Sequence, residues 1–219
     1  MRRVVAIFIG AALAIGLTPA ALAAPANAKV FVVHGIPGVA VDVCVGGSEV
    51  ASDFRYGDVF SAELPPGTYR VKVKAAAPGE CVGPAVISER LELTSGLNAT
   101  AVARLIGGVP GLSVFVNDVS PTDPGEARLT VRHTARAPKV DVWANGQRVL
   151  NDVPRGASAD LEVPSGVYAV WVSAADGFRP VIGPRVLRLR EGFAYQVHAV
   201  GTNASNYRFV VIGQEVGTA

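Results

Sequence analysis

Two histidine–aspartate pairs are the residues of this chain whose types and spacing could support acid–base chemistry. His34 lies eight positions before Asp42, and His133 lies eight positions before Asp141. Across a short turn between neighbouring strands, such an aspartate could orient the imidazole as a general base. No serine or cysteine stands in a recognisable nucleophile motif, however, and a pair present in two copies is typical of a hydrogen bond that holds a turn. We therefore expect a structural role for both pairs, no catalytic residue and no enzymatic activity.

Metal binding is the other chemistry that these side chains could support. Each pair supplies only two ligands, whereas a zinc site needs three or four. The remaining carboxylates are too widely spaced in the sequence to supply a calcium site. We expect no bound metal and no cofactor.

The chain has two cysteines, Cys44 and Cys81, and both lie in its first half. The N-terminal export signal described below implies an oxidising compartment, where an even pair within one small domain is most simply a disulfide. In the chain-entropy model, a bond that closes a loop of this length stabilises the folded state by about 4 kcal/mol. The sequence therefore predicts a structural Cys44–Cys81 disulfide.

Trp143 and Trp171 are the two tryptophans of the chain. An exposed aromatic ring can stack on a sugar or anchor a protein interface, which makes this pair a candidate binding face. The alternative is packing, in which Trp143 replaces the disulfide in the second half of the chain and Trp171 lies between domains. The sequence leaves both interpretations open.

The segments that would position these residues occur twice. Residues 29–73 align with 128–172 without a gap, and 15 of the 45 aligned pairs are identical. The identical positions include both histidine–aspartate pairs and the Pro-x-Gly-x-Tyr segments that end in Tyr69 and Tyr168. Because chance matching would give far fewer identities, the chain contains a duplicated domain.

The composition of both repeats is typical of all-β domains. Valine is abundant, and glycine and proline interrupt the apolar runs at short intervals. In the first repeat we predict seven strands, near 29–34, 39–45, 58–64, 68–74, 85–93, 97–105 and 111–116. In the second repeat we predict another seven, near 127–133, 139–144, 157–163, 167–173, 185–190, 193–200 and 206–212. This pattern predicts two tandem antiparallel β-sandwiches, immunoglobulin-like or prealbumin-like, at 29–117 and 126–219, joined by a turn-rich linker at 118–125.

The strand that begins at Tyr69 indicates which side chains face the core. Its period of two directs Tyr69 and Val71 inward and Lys72 towards solvent. By the same phase, Tyr168 of the second repeat points inward. Trp171, which stands at the position of Lys72, points outward.

The N-terminus has the features of a cleaved export signal. Arg2 and Arg3 precede an apolar stretch at 4–17, and small-x-small motifs place the cleavage site after Ala23 or Ala28. The apolar stretch is shorter than the roughly 20 residues of a membrane-spanning helix. We therefore predict a signal peptide within 1–28, a secreted or cell-envelope location, and no stable membrane insertion after cleavage.

Cleavage also changes the net charge. The full chain has 20 Lys and Arg against 18 Asp and Glu, and loss of Arg2 and Arg3 leaves 18 against 18. A neutral protein lacks the excess positive charge that drives binding to a phosphate backbone. We do not expect nucleic acid as a partner.

Several residues together carry a resemblance to a known family. His34 at a strand end, a Pro/Gly-rich turn, Val-Asp42-Val and Leu-Pro-Pro-Gly-Thr-Tyr69 follow one another in the first repeat, and the second repeat has the same order. In this combination the chain resembles the secreted bacterial domain of unknown function DUF4397 over nearly all of 29–213. The resemblance implies exported tandem β-sandwiches at the cell surface and no established chemistry. The cysteine pair is an addition to the family pattern.

These observations favour an exported binding or scaffold module of the cell envelope or extracellular space, without catalytic activity. A carbohydrate-binding module that uses Trp143 and Trp171 is the alternative, and a hydrolytic enzyme is less well supported. The expected partner is an envelope protein or a polysaccharide, whose identity the sequence does not reveal.

Overall fold

The computed structural model describes residues 24–77 and 81–219, and the regular structure in these ranges consists of β-strands. Residues 1–23 of the predicted signal peptide lie outside the described residues. The first half of the chain contains β1 (Ala28–His34), β2 (Val41–Val45), β3 (Ser48–Phe54), β4 (Val59–Leu64), β5 (Gly67–Ala75), β6 (Ile87–Leu93), β7 (Asn98–Ile106) and β8 (Val109–Val116). The second half contains β9 (Glu126–His133), β10 (Val140–Ala144), β11 (Gln147–Val153), β12 (Ser158–Pro164), β13 (Gly166–Ala174), β14 (Pro180–Leu189), β15 (Phe193–Val200) and β16 (Arg208–Glu215).

Each half folds into a sandwich of two four-stranded sheets, so the predicted pair of β-sandwiches is confirmed. The sheet orders are β4-β1-β7-β8 and β3-β2-β5-β6 in the first sandwich, and β12-β9-β15-β16 and β11-β10-β13-β14 in the second. Neighbouring strands are antiparallel except β1–β7 and β9–β15, which run parallel. An immunoglobulin sandwich keeps its first two strands in one sheet, whereas β1 and β2 lie in different sheets. The architecture is therefore the prealbumin-like alternative.

Each sandwich has one strand more than the seven that the sequence analysis predicts. The additional strands, β3 and β11, follow the two-residue turns Gly46-Gly47 and Asn145-Gly146, in which every residue has a positive φ. Such a pair of residues is typical of a type I′ hairpin turn. Because β3 and β11 are edge strands with mostly exposed or half-exposed side chains, their sequences lack the apolar alternation that marks a strand.

An apolar core lies between the two sheets of each sandwich. Tyr69 and Val71 point into the first core, as the period of their strand predicts, and Tyr168 packs against the second core. The hydroxyl of Tyr69 donates to the carbonyl of Pro65 at 2.9 Å, and the hydroxyl of Tyr168 donates to that of Pro164 at 2.7 Å. Each tyrosine therefore fixes the start of its strand to the preceding turn.

The two sandwiches meet through the sheets that contain β1 and β9, which we call the inner sheets. The sheets that contain β2 and β10 are the outer sheets. Side chains of both inner sheets form one shared apolar cluster, made of Phe31, Val33, Val102, Val200, Val210 and Ile212. Next to this cluster, the side-chain amides of Asn98 and Gln214 exchange hydrogen bonds of 2.8 and 3.3 Å. The outer sheets are thereby left as the two remote faces of the molecule.

The connection between the sandwiches is bound to the second of them. Nη1 of Arg128, on β9, lies 3.1 Å from Oδ1 of Asp118 and donates to the carbonyl of Ser120 at 2.8 Å. Thr122 pairs with Thr218 in a parallel bridge close to the C-terminus. The contacts anchor this segment on the inner sheet of the second sandwich.

Candidate functional site

The histidines of the two predicted pairs bind the turns that follow them. Nε2 of His34 donates to the carbonyl of Val39 at 3.0 Å, and Nε2 of His133 donates to the carbonyl of Pro138 at 2.7 Å. Among the described residues, neither histidine is hydrogen-bonded to its aspartate. Burial lowers the pKa of both histidines, which keeps the imidazoles neutral. The arrangement holds the β1–β2 and β9–β10 loops and does not place a base beside an acid.

The aspartates of the same pairs are buried and tie separate loops to the outer sheets. Asp42 accepts hydrogen bonds from two backbone amides, at 3.2 and 3.1 Å, and its Oδ2 lies 3.3 Å from Nζ of Lys74. Asp141 likewise accepts from two backbone amides, and its Oδ2 lies 3.1 Å from Nη1 of Arg148. Burial alone would raise the pKa of each carboxyl, but the amide bonds and the neighbouring cation outweigh burial and lower it. Both aspartates are therefore charged and occupied by structural contacts.

Cys44 and Cys81 form the predicted disulfide, which is confirmed. The bond links β2 to the segment before β6, and the two Cα atoms are 5.9 Å apart. At the position of Cys44 the second sandwich has Trp143, which is covered by the ring of Phe178 with 5.0 Å between the ring centroids. Aromatic packing in the second sandwich thus occupies the place of the covalent bond in the first.

The two tryptophans lie directly opposite each other on β10 and β13. Their rings are parallel within 1°, with centroids 5.8 Å apart, and the ring of Phe178 stands perpendicular to both. Nε1 of Trp143 donates to Oγ of Ser173 at 3.0 Å. The tryptophans are half-buried, whereas Phe178 is 66% exposed. We call Trp143, Trp171 and Phe178 the aromatic patch, and Phe178 is its most exposed ring.

Phe178 was missed by the sequence analysis, although a signal for it exists. It follows Asp176-Gly177 in the turn between β13 and β14, and Asp176 has a positive φ of 58°. An aromatic residue in a turn of this kind has no place in the alternation of a strand. An aromatic residue directly after the turn-forming Asp176-Gly177 is the sequence signal that could have identified it.

The outer sheets of the two sandwiches differ in character at matched positions. Around the aromatic patch, positions that are polar, charged or disulfide-bonded in the first sandwich are apolar in the second. In strand register the pairs are Thr68 and Val167, Arg70 and Ala169, Lys72 and Trp171, Arg90 and Val186, and Cys44 and Trp143. Val167 and Val186 are 54% and 60% exposed. The outer sheet of the second sandwich therefore presents an apolar surface that its duplicate lacks.

Two arginines border this apolar surface. Arg148 lies opposite Trp143 on β11, with its guanidinium carbon 5.8 Å from the centroid of the Trp143 ring. Arg188 lies opposite Val167 on β14 and is exposed. The combination of aromatic rings with arginine at the border is typical of protein interfaces.

Within 24–77 and 81–219, no three His, Cys, Asp or Glu side chains come together as candidate metal ligands. The same ranges contain no helix with the length and hydrophobicity of a membrane span.

Comparison with known proteins finds one family and several distant solved structures. No curated protein matches the chain. The Bacillus anthracis TIE protein is 14% identical with a TM-score of 0.25, and the match covers 84% of this chain and 34% of that one. A leucine-rich repeat protein from Bacteroides thetaiotaomicron is 12% identical with a TM-score of 0.22, and the match covers 88% of this chain and 27% of that one. The chain thus spans about a third or less of either structure.

The family model for the domain of unknown function DUF4397 matches residues 28–142. These residues include the complete first sandwich, the strand β9 of the second and the first three residues of β10. They form just over half of the chain and contain the histidine–aspartate pairs and the Pro-x-Gly-x-Tyr segment on which the resemblance was based. The chain belongs to the DUF4397 domain family.

Proposed function

We propose that this protein is an exported, non-catalytic binding module of the cell envelope, and that the outer sheet of its second sandwich is the contact surface. The observation that carries this proposal is the difference between the two outer sheets. Arg70 and Lys72 point to solvent in the first sandwich, and Ala169 and Trp171 take their places in the second. An exposed apolar surface of this kind is costly for a soluble protein and marks an interaction site.

The geometry of the aromatic patch suits a hot spot of protein binding. The two tryptophans are held in a fixed orientation by each other and by the hydrogen bond from Trp143 to Ser173. Phe178 rests on this rigid base and projects into solvent. An aromatic side chain that is already immobilised loses little conformational entropy on binding, so more of its burial appears as affinity.

The same geometry favours a protein partner over a polysaccharide. A sugar ring stacks on an open aromatic face and needs polar groups beside it. Here the tryptophan faces are directed at each other, and Nε1 of Trp143 is already used by Ser173. The bordering Arg188, which is exposed, suits an acidic side chain at the edge of an apolar protein surface.

Site-specific crosslinking tests this proposal. A photoreactive phenylalanine analogue in place of Phe178 should crosslink a discrete envelope protein in cells that export the chain. The same analogue in place of Arg70, on the matching outer sheet, serves as the control and should not capture that protein. Absence of a crosslink at position 178, or the same products at both positions, would contradict the proposed contact surface.

Substitutions separate binding from folding. Phe178→Ser should leave the free energy of unfolding within about 0.5 kcal/mol of wild type, because most of the ring is exposed. The purified Phe178→Ser protein should also fail to bind the envelope protein that the crosslinking identifies, whereas the purified wild-type protein should bind it. Tyr168→Ala is the contrasting variant, because it opens a cavity beside the core and should cost roughly 3 kcal/mol of stability. If the wild-type protein binds particular glycans on a sugar array and Phe178→Ser does not, the partner is a polysaccharide and the assignment of a protein partner is wrong.

A further inference from the structure

The first sandwich contains an apolar pocket at one end, between its two sheets. Its volume is about 240 Å³. The lining comes from both sheets and includes His34, Val41, Val73, Ile87, Ala103 and Pro110. Two exposed valines, Val39 and Val86, also line it, so the entrance is apolar as well. This pocket lies away from the aromatic patch, which belongs to the other sandwich.

His34 contributes a ring to the pocket but no additional hydrogen bond. Its Nε2 donates to the carbonyl of Val39 at 3.0 Å, and its Nδ1 accepts from the amide of Ile36 at 3.4 Å. Both ring nitrogens are therefore engaged by the loop that follows β1. The side chains that a ligand meets in the pocket are therefore apolar apart from the His34 ring.

The second sandwich shows which group fits this position. Ala103 pairs with His34 and Ala199 pairs with His133, so the next residues, Arg104 and Val200, are equivalent. Their partners on the following strands are Gly111 and Arg208. The residues before these partners, Pro110 and Tyr207, therefore stand at the same register position. The ring of Tyr207 packs against the core of the second sandwich.

The tyrosine hydroxyl has a defined partner there. It donates to the carbonyl of Arg136 at 2.7 Å. In the gapless alignment of the two repeats, Arg136 corresponds to Pro37, which lines the pocket of the first sandwich. The second sandwich thus has a hydroxyphenyl group at the register position of Pro110, and its hydroxyl is bound at the position that corresponds to Pro37.

We propose that the pocket of the first sandwich binds a small phenol, or the hydroxyphenyl group of a tyrosine, from outside the chain. The ring occupies the pocket between the sheets, and its hydroxyl donates to the carbonyl of Pro37, as the hydroxyl of Tyr207 donates to that of Arg136. Volume supports this assignment, because an apolar cavity of roughly 150 Å³ already binds benzene.

Titration with p-cresol, which is the side chain of tyrosine as a free molecule, tests the proposal directly. In NMR spectra of the full chain, p-cresol should shift the methyl signals of Val41, Val73 and Ala103. N-acetyltyrosinamide should compete if the hydroxyphenyl group of a peptide is accepted. No shift of these methyl groups by p-cresol would overturn the proposal.

Toluene provides the matched ligand, because it lacks only the hydroxyl. It should bind about fivefold more weakly or worse, since one hydrogen bond contributes roughly 1 kcal/mol. Equal affinity for toluene and p-cresol would overturn the assignment of the hydroxyl to the carbonyl of Pro37.

Pro110→Tyr is the matched variant, because it copies the second sandwich. The new ring should fill the pocket and reduce p-cresol affinity at least tenfold. Ala75→Phe fills the same pocket from another exposed position of its lining and replaces Pro110→Tyr in the test if that variant does not fold. Trp171→Lys should leave p-cresol binding unchanged, which separates this pocket from the aromatic patch. Full p-cresol affinity in a folded filling variant would contradict the proposal.

Discussion

Arg132 donates a hydrogen bond of 2.8 Å from Nη1 to Oδ1 of Asn117, across the interface between the two sandwiches. Its Nη2 donates to the carbonyl of Val116 at 3.1 Å, and its guanidinium carbon lies 4.9 Å from the centroid of the Phe115 ring. The arginine is 1% exposed. Its counterpart in the duplicated strand is Val33, which belongs to the apolar cluster of the same interface. Duplication has thus produced an interface in which one copy supplies a cation and the other copy supplies its acceptors.

Loss of this guanidinium should destabilise the protein. Arg132→Ala removes the donors that satisfy Asn117 and the Val116 carbonyl, and we expect a cost of about 3 kcal/mol. Urea unfolding measures the difference. Arg188→Ala, on the exposed outer sheet, is the control and should stay within about 0.5 kcal/mol of wild type. Similar small effects of both substitutions would show that the interface does not depend on Arg132.

His198 should make the protein less stable in acid. It is completely buried, and burial, with a further effect of nearby Arg132, lowers its pKa from 6.5 to about 3. Between these two values the unfolded chain binds the proton and the folded chain does not. Stability therefore falls as the pH drops from 6.5 towards 3 and does not depend on this residue above that range. Burial also lowers the pKa of His34 and His133, which adds to the same trend.

The duplicate supplies the test of this pH dependence. Val102 stands in the first sandwich at the register position of His198. His198→Val should therefore fit the interface and should reduce the loss of stability between pH 7 and pH 4.5. The urea midpoint measured at both pH values checks this. An unchanged loss in the variant would assign the acid sensitivity to other groups.

Removal of the disulfide should affect the first sandwich most. The bond joins residues 37 positions apart, and its loss should cost about 4 kcal/mol in the chain-entropy model. Both tryptophans lie in the second sandwich, so their fluorescence reports on that half of the chain, whereas circular dichroism reports on both. In a Cys44→Ala/Cys81→Ala double variant, the circular dichroism transition should begin at lower urea than the fluorescence transition. An unchanged circular dichroism midpoint would contradict the expected contribution of the bond.

The contacts of residues 26 and 28 favour one of the two predicted cleavage sites. Ala28 is fully buried in β1 opposite Leu64, and the carbonyl of Ala26 accepts hydrogen bonds from the amide of Gly96 and the hydroxyl of Ser95. Cleavage after Ala28 would remove these contacts, whereas cleavage after Ala23 keeps them. We expect the exported protein to begin at residue 24. Its intact mass checks this, and a mature chain that begins at residue 29 would show the prediction to be wrong.

Local patterns made much of the fold predictable. The period of two in the strand after Pro65-Pro66-Gly67 correctly placed Tyr69 inward, because side-chain alternation is a property of the strand itself. The edge strands β3 and β11 were missed because their side chains bury too little surface to impose that alternation. Asn145-Gly146 nevertheless carried the hairpin signal for β11. For the candidate site, the outward position of Trp171 followed from strand phase, but Phe178 did not, since a turn has no period.

The sequence by itself determined the all-β class, the duplication and the disulfide, because each of these depends on residue types at short or repeated spacings. Tertiary structure alone decided which sheets meet, so that His198 and Arg132 are buried between sandwiches and the outer sheet that carries Trp171 faces solvent. It also showed that Tyr207 stands at the register position of Pro110, which lines the pocket of the first sandwich. The physical reason is that burial and cavities depend on the surfaces that distant strands bring together, and strand periodicity carries no information about those partners.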